Sequence, residues 1–509
     1  MRLLLALAAF GLVAGCTMGP DFHSPDPPKA QSFLPDQPPT FVAGGIDGGE
    51  AQRIIDGMDI PGQWWQVFQS PQLNGLIETA LRANPDIQAA SAGLRVAQEA
   101  ARAQRATLFP TLQAGFGATA NQVPTVLSAP TAANTYSYSL YTLGLTLSYN
   151  LDLWGANRRQ IESLDALAEA QCFQVEGAYL SLASNVVAAA ILEASLRAQV
   201  DATERIIAAQ RDTLDILNRQ LGVGAVNGSD VAAQEAALAQ VQATLPPLQK
   251  ALAQQRNLLA TLTGRFPDQS LAEQFKLADL KLPQDLPLSL PSKLVEQRPD
   301  VRAAESNLHS SSALVGVATA NQFPNVTLNA SIGTQALTPD TLFGPTLASS
   351  VVGVNVLQTV LDGGALAAKK RQAQAALEQA DAQYRSIVLQ AFRNVADTLR
   401  ALEFDALALK AAVAAEQATA TSLQIARRRL ELGDATYIFV LTAELAYQQA
   451  ALLRVQAQAA RYTDTAALFQ ALGGGWWNRD EPVKDAAARL RCRPPAPARP
   501  VPAGVVSQR

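Results

Sequence analysis

Four short stretches of this chain switch between apolar and polar at every second residue. In the clearest, Tyr141, Leu143, Leu145, Leu147, Tyr149 and Leu151 fall on one face, and Thr142, Gly144, Thr146, Ser148 and Asn150 on the other. A second sets Val326, Leu328, Ala330 and Ile332 against Thr327, Asn329, Ser331 and Gly333. A third sets Leu112, Ala114, Phe116 and Ala118 against Gln113, Gly115, Gly117 and Thr119, and Val352, Val354 and Val356 mark a less regular fourth. A period of two is that of a strand. Half-buried soluble strands alternate too, but four such runs of about ten residues suit tilted membrane-spanning strands with small polar groups toward a wet interior. Four strands cannot close a barrel, and open edges in lipid leave backbone groups unsatisfied. The pattern therefore predicts an oligomer, either a dimer with eight strands or a trimer with twelve.

The longest stretches are helical. Residues 156–221 contain no proline and one glycine, Gly177, and residues 365–432 contain neither. At 1.5 Å per residue each reaches about 100 Å, far beyond what a globular core needs. Each ends in a short glycine-bearing break, Gly222-Val223-Gly224-Ala225 and Leu432-Gly433-Asp434-Ala435, where a turn needs positive φ. Shorter helices are expected over roughly 72–106 and 229–263, with Pro246-Pro247 interrupting the latter.

The chain is also duplicated. Asn84-Pro85-Asp86-Ile87 returns as Arg298-Pro299-Asp300-Val301, Phe109-Pro110 as Phe323-Pro324, and Leu151-Asp152 as Leu361-Asp362. Gly224 and Glu235 match Gly433 and Glu444, and Gly264 matches Gly473 or Gly474. The offset between copies drifts, which places the length changes in connections. The predicted organisation is a signal peptide at 1–15, an extended N-terminal segment at 16–60, repeats at 61–270 and 291–477 joined by a linker at 271–290, and a Pro/Arg-rich tail at 478–509 expected to be disordered.

Composition narrows the function. Among 509 residues the net charge is −4 and the pI about 5.5, which argues against nucleic-acid binding. Two histidines and three cysteines leave little for a metal site or a thiol catalyst, and no acid/base constellation marks an enzyme. His309 has no second histidine near it and reads as structural. Residues 1–15 combine Arg2 with a short apolar run that ends in Val13-Ala14-Gly15-Cys16, the pattern of a lipoprotein signal with Cys16 as the lipidated residue. That covalent lipid is the only attached group expected. Cys172 and Cys492 are not expected to form a bridge.

Several runs together resemble the TolC-like outer membrane factors, in their NodT-type lipoprotein branch. They are Trp64-Trp65-x-x-Phe68-x-x-Pro71-x-Leu73, Cys16-Thr17-Met18-Gly19-Pro20-Asp21-Phe22, Leu151-Asp152-Leu153-Trp154-Gly155 and Ala471-Leu472-Gly473-Gly474-Gly475-Trp476. The resemblance covers about residues 16–477. It implies an α+β membrane protein: a homotrimer with a twelve-stranded outer-membrane barrel, four strands from each chain, continuous with a long periplasmic helical barrel. It further implies docking on a periplasmic adaptor protein that leads to an inner-membrane pump of the resistance–nodulation–division type, and passive export of drugs or other small toxic solutes.

The expected sites follow. Thr142, Thr146, Ser148, Asn150, Thr327, Asn329 and Ser331 would face the lumen. Gly222, Val223, Gly224, Ala225, Leu432, Gly433, Asp434 and Ala435 would form the adaptor-docking turns. Arg427, Arg428, Arg429 and Asp230 are candidates for a periplasmic gate, although an arginine run at a helix end also serves as a solvated face near the helix C-terminus. Two rival readings are a non-conducting trimeric scaffold, disfavoured by the polar strand face, and the outer component of a type I protein-secretion system.

Overall fold

The structure is a computed structural model and describes residues 17–30, 32–36, 48–123, 136–269, 271–344 and 348–479. The signal segment, Cys16 and the tail from 480 onward lie outside the described residues. In chain order the elements are β1 (Arg53–Asp56), α1 (Pro71–Ala83), α2 (Pro85–Arg105), β2 (Thr111–Val123), β3 (Tyr136–Leu151), α3 (Ala156–Gly222) and α4 (Gly228–Leu262). The second half adds β4 (Asp285–Leu288), α5 (Pro291–Gln297), α6 (Pro299–Ala320), β5 (Asn325–Ala336), β6 (Ala348–Leu357), α7 (Ala365–Glu431) and α8 (Tyr437–Ala471).

The chain divides into two compact units, and each long helix contributes to both. One unit, built from Gly93–Gln171 and Ala303–Arg385 with the N-terminal residues through Pro25, holds an antiparallel sheet in the order β2-β3-β5-β6. Its middle pairing, β3 with β5, joins the two repeats. The strands run to 13, 16, 12 and 10 residues, three of them longer than periodicity alone marked. Asp152 and Asp362, equivalent in the duplication, each start a long helix. Asp152 accepts the amide N–H of Asn157 at 3.0 Å and of Arg158 at 2.9 Å. Asp362 accepts those of Leu366 at 2.7 Å and Gly364 at 2.8 Å, which hold its carboxyl below the usual range.

The other unit, Asp26–Ala92, Cys172–Arg302 and the residues from Ser386, contains the larger core. Trp64, Phe68, Phe173, Tyr462 and Phe469 are all buried there, with Trp64 stacked on Phe469 at 5.4 Å. Trp65 and Trp476 are buried in the same unit. The duplicated Pro-Asp motif forms the same lock twice. Asn84 Nδ2 donates to the carbonyl of Leu262 at 3.0 Å, and Arg298 Nη1 to that of Ala471 at 2.8 Å. Each capture satisfies a carbonyl that a helix end leaves free. Beside each lock sits a glycine with positive φ, Gly264 and Gly473. A Cβ there would lie 2.6 Å from the carbonyl oxygen of Ala83 or Gln297.

Four expectations change. Residues 72–106 form two helices, because Asn84 precedes a proline, takes an extended conformation and caps α2 through Asp86 N–H at 2.8 Å. Pro246 and Pro247 lie inside α4 without ending it, so both return helices have 35 residues. The extended N-terminal segment and the linker each contribute a strand: β1 pairs in parallel with β4, Arg53 opposite Asp285, and Arg53 salt-bridges Asp285. Four-residue strands so far apart in sequence carry no periodic signal. Finally, Cys172 is buried and disulfide-bonded, against the expectation of no bridge, and the two other cysteines lie outside the described residues.

Candidate functional site: a polar strand face and two helical tips

Residues directly opposite in an antiparallel pair share a face, so register decides whether four alternating strands agree. They do. Thr111, Ser148, Asn329 and Gly353 form one row across the sheet, and Gln113, Thr146, Ser331 and Val351 the next. Asn150, Thr327 and Asn355 form another, and Gly115, Gly144, Gly333 and Ser349 a row of minimal side chains. Thr142 stands between Gly117 and Gln335. All seven predicted lumen residues therefore lie on one face, and Ser148 Oγ donates to Asn329 Oδ1 at 3.2 Å across it. The opposite face has rows such as Leu112-Leu147-Ala330-Val352 and Tyr149-Leu328-Val354. Val351 breaks the polar face and Ser350 the apolar one, which explains why β6 read least regularly. The glycine row is tight: a Cβ on Gly333 would come within 2.7 Å of the Leu143 carbonyl oxygen.

At the reversal points the two copies use one device. The N–H of Ala225 reaches the carbonyl of Gln220 at 2.9 Å, and the N–H of Asp434 that of Arg429 at 2.9 Å, six-residue closures around Gly224 and Gly433 at φ 76° and 75°. Gly222 has no such φ. Nothing lies within 4 Å of a Cβ placed on Gly222, Gly224 or Gly433, and Val223 and Leu432 are exposed. Asp230 belongs to a capping box with Asn227, accepting its N–H at 3.2 Å. The three arginines all have carboxylate partners in their own chain: Arg427 with Glu444 at 2.8 Å, Arg428 with Glu431 at 2.9 Å and Arg429 with Asp434 at 3.0 Å. Ionic pairing at the tips is present, but local.

One feature escaped the sequence reading. The residues after Cys16 are strapped onto the start of α3. Met18 N–H donates to the Trp154 carbonyl at 3.1 Å, and Arg159 binds the Met18 carbonyl at 3.2 Å and Asp21 at 2.6 Å. Arg159 also holds Glu162 at 2.7 Å, Glu162 holds His309 at 3.0 Å, and Phe22 stacks on that imidazole at 4.3 Å. The hydrogen bond and charge of Arg159 lower the carboxyl pKa of Asp21. Burial raises that of Glu162, but Arg159 and His309 outweigh it and leave it lowered. Gly19 meets Gly316 so closely that a Cβ would fall 2.3 Å from the latter's Cα. The quoted motif Thr17–Phe22 was the available signal. Among the described residues no cluster of potential metal ligands occurs.

The outer membrane efflux protein family model matches residues 76–265 and 290–474, one segment in each repeat. The chain belongs to the outer membrane efflux protein family. It is 28% identical over 456 residues to the pyoverdine export outer membrane protein OpmQ of Pseudomonas putida, covering 88% of this chain and 95% of that one. It is 27% identical over 480 residues to the probable efflux pump outer membrane protein TtgC of the same species, covering 94% and 96%. Among solved structures, the outer-membrane channel OprN matches with a TM-score of 0.80 at 28% identity, covering 91% of this chain and 100% of OprN. The outer membrane protein VceC of Vibrio cholerae matches with a TM-score of 0.76 at 29% identity, covering 82% and 100%. This efflux protein is thus an outer-membrane channel of the type that serves tripartite pumps.

Proposed function

We propose that three copies of this chain form a homotrimer whose strands enclose a twelve-stranded pore with the Thr142, Thr146, Ser148, Asn150, Thr327, Asn329 and Ser331 face inward. The pore conducts drugs or other small toxic solutes passively. An inner-membrane pump of the resistance–nodulation–division type supplies the energy, and a periplasmic adaptor joins the two. The observation that carries this reading is the register, which keeps polar and small residues on one face across the four strands, with Val351 of β6 as an exception. A wet lumen needs such a face; a scaffold does not.

The adaptor docks on the two tips, where open space around Gly222, Gly224 and Gly433 admits another backbone. Gating exchanges partners among the exposed pairs Arg428–Glu431 and Arg429–Asp434, while Arg427 and Asp230 hold the turns in shape. The lipid on Cys16 adds an anchor next to the strap that begins at Thr17. Conductance of the purified trimer in a planar bilayer tests the reading. Stepwise currents are expected, with Thr146→Arg moving selectivity toward anions. An inserted trimer that stays silent, and remains so with Arg428→Ala and Arg429→Ala, would mean a scaffold.

A further inference from the structure

Cys172 lies on α3, is 6% exposed and is disulfide-bonded, while both other cysteines, Cys16 and Cys492, lie outside the described residues. The geometry at the two ends of the described chain separates these candidate partners. Toward Cys16, the chain is held at the start of α3. A Cβ on Gly155 would lie 2.9 Å from the Thr17 side chain, and Met18 N–H donates to the Trp154 carbonyl at 3.1 Å. Cys172 follows Gly155 by seventeen residues, which amounts to about 25 Å of helix. Cys16 is one peptide bond from Thr17, and consecutive Cα atoms stand about 3.8 Å apart. A disulfide needs its two Cα atoms within about 7 Å. Cys16 cannot span that gap.

Toward Cys492, the described chain ends beside Cys172. Trp476 meets Phe173, the next residue of α3, edge-on at 5.8 Å. Arg479, the last described residue, salt-bridges Glu176 and lies over the Tyr179 ring at 5.0 Å. Glu176 stands one helical turn beyond Cys172, on the same face of α3. Thirteen residues lead from Arg479 to Cys492, and a chain of that length extends to about 43 Å, several times what is needed. The chemistry agrees, because a cysteine whose sulfur carries a lipid has no thiol left to oxidise. We infer that Cys172 pairs with Cys492 of the same chain, a covalent staple that returns the C-terminal tail to the helical unit. Two S–H bonds break and one S–S bond forms. The two electrons and two protons pass to a dithiol–disulfide oxidase of the periplasm, whose own disulfide is reduced in exchange. The staple fixes where residues 493–509 begin, a stretch that carries Arg493, Arg499 and Arg509 and no acidic residue. It is independent of the pump reading above.

The test uses the full chain, extracted from cell membranes with N-ethylmaleimide present to trap free thiols and then digested with trypsin without reductant. Arg493 and Arg499 each precede a proline, where trypsin does not cut, so Cys492 falls in the peptide 492–509 and Cys172 in the peptide 160–197. The two peptides should appear as one cross-linked mass that separates on reduction. The peptide of Cys172 carrying maleimide should be at least tenfold less abundant than the cross-linked form. In denaturing gels without reductant the chain should run as a monomer, which places the bond within one copy. Cys492→Ser should leave Cys172 as a free thiol that takes up maleimide once the chain is denatured. That variant does not touch the buried site, so a folding defect at Cys172 cannot imitate the result. Cys172 joined to the peptide of Cys16, Cys172 carrying maleimide in the unreduced wild-type chain, or a covalent dimer lost in Cys492→Ser would overturn the proposal.

Discussion

The sheet and the helical core meet their apolar side chains in opposite ways. All ten residues of β6 are exposed, and so is most of β2, although both carry alternating apolar residues. In the unit that contains Trp64, Phe68 and Phe173, large apolar side chains are buried to 1% exposure or less. Alternation states which side chains share a face; it does not state what covers them. For the helices the chain supplies its own cover, while for the strands the cover must be lipid on one face. The same lesson recurs between the two long helices. Both have 67 residues, and at the start of both an aspartate accepts backbone amides. Yet α3 is buried from its first turns, at Arg159, Ser163 and Ala166, whereas the first buried residue of α7 is Tyr384. The strap of Thr17–Phe22 lies outside the duplication, so only one copy has it.

The largest test of that contrast is Phe173→Ala. Its ring meets Trp476 edge-on at 5.8 Å and sits under the Arg302 guanidinium at 5.1 Å. Losing it should cost about 3–5 kcal/mol of stability, read as a drop in thermal unfolding of the detergent-solubilised protein. An unchanged melt would mean the helical core is not what holds this unit together. Next, Leu145→Arg places a charge on the apolar strand face and should cost about 2–4 kcal/mol near the bilayer midplane, seen as lost insertion and assembly. Thr146→Arg, one residue on, should assemble normally, and equal defects would dissolve the distinction between the two faces.

A smaller effect is expected from Asp405. Burial, then its hydrogen bond and charge contact with Asp464, push its carboxyl pKa up to about 7, from an ordinary 3.8. The folded state therefore prefers this acid protonated. Stability should fall as pH rises from about 4 to about 7 and level off above, by about 1–2 kcal/mol after screening at this half-buried position. Denaturant titrations at pH 5 and pH 8 would detect it, and Asp405→Asn should flatten the difference; a slope that survives in that variant would place its origin elsewhere. Smallest in stability is Gly222→Trp, a change of within about 0.5 kcal/mol, because its φ is ordinary and open space surrounds it. Drug resistance and adaptor cross-linking should nevertheless fall together. Normal export by this folded variant would remove Gly222 from the docking surface.

Much of this was legible in the chain. Missing prolines and glycines gave the extents of α3 and α7 to within a residue, since a helix needs only local permission to continue. Gly224 and Gly433 were readable as turn residues because a helix end asks for positive φ. The seven polar strand positions were readable from a period of two. The tip arginines were less so: their partners Glu444, Glu431 and Asp434 depend on how side chains meet around each turn.

The amino-acid sequence alone therefore determined the duplication, the extents of the two long helices, the glycine turns that end them and the sidedness of each strand, all set by interactions among near neighbours in the chain. Only the tertiary structure decided that β1 pairs with β4, that Asn84 and Arg298 lock the ends of α4 and α8, and that the strap of Thr17–Phe22 binds Arg159 at the start of α3. Each of these joins residues far apart in sequence. Their proximity arises from where the backbone carries them, and no local period or propensity encodes that distance.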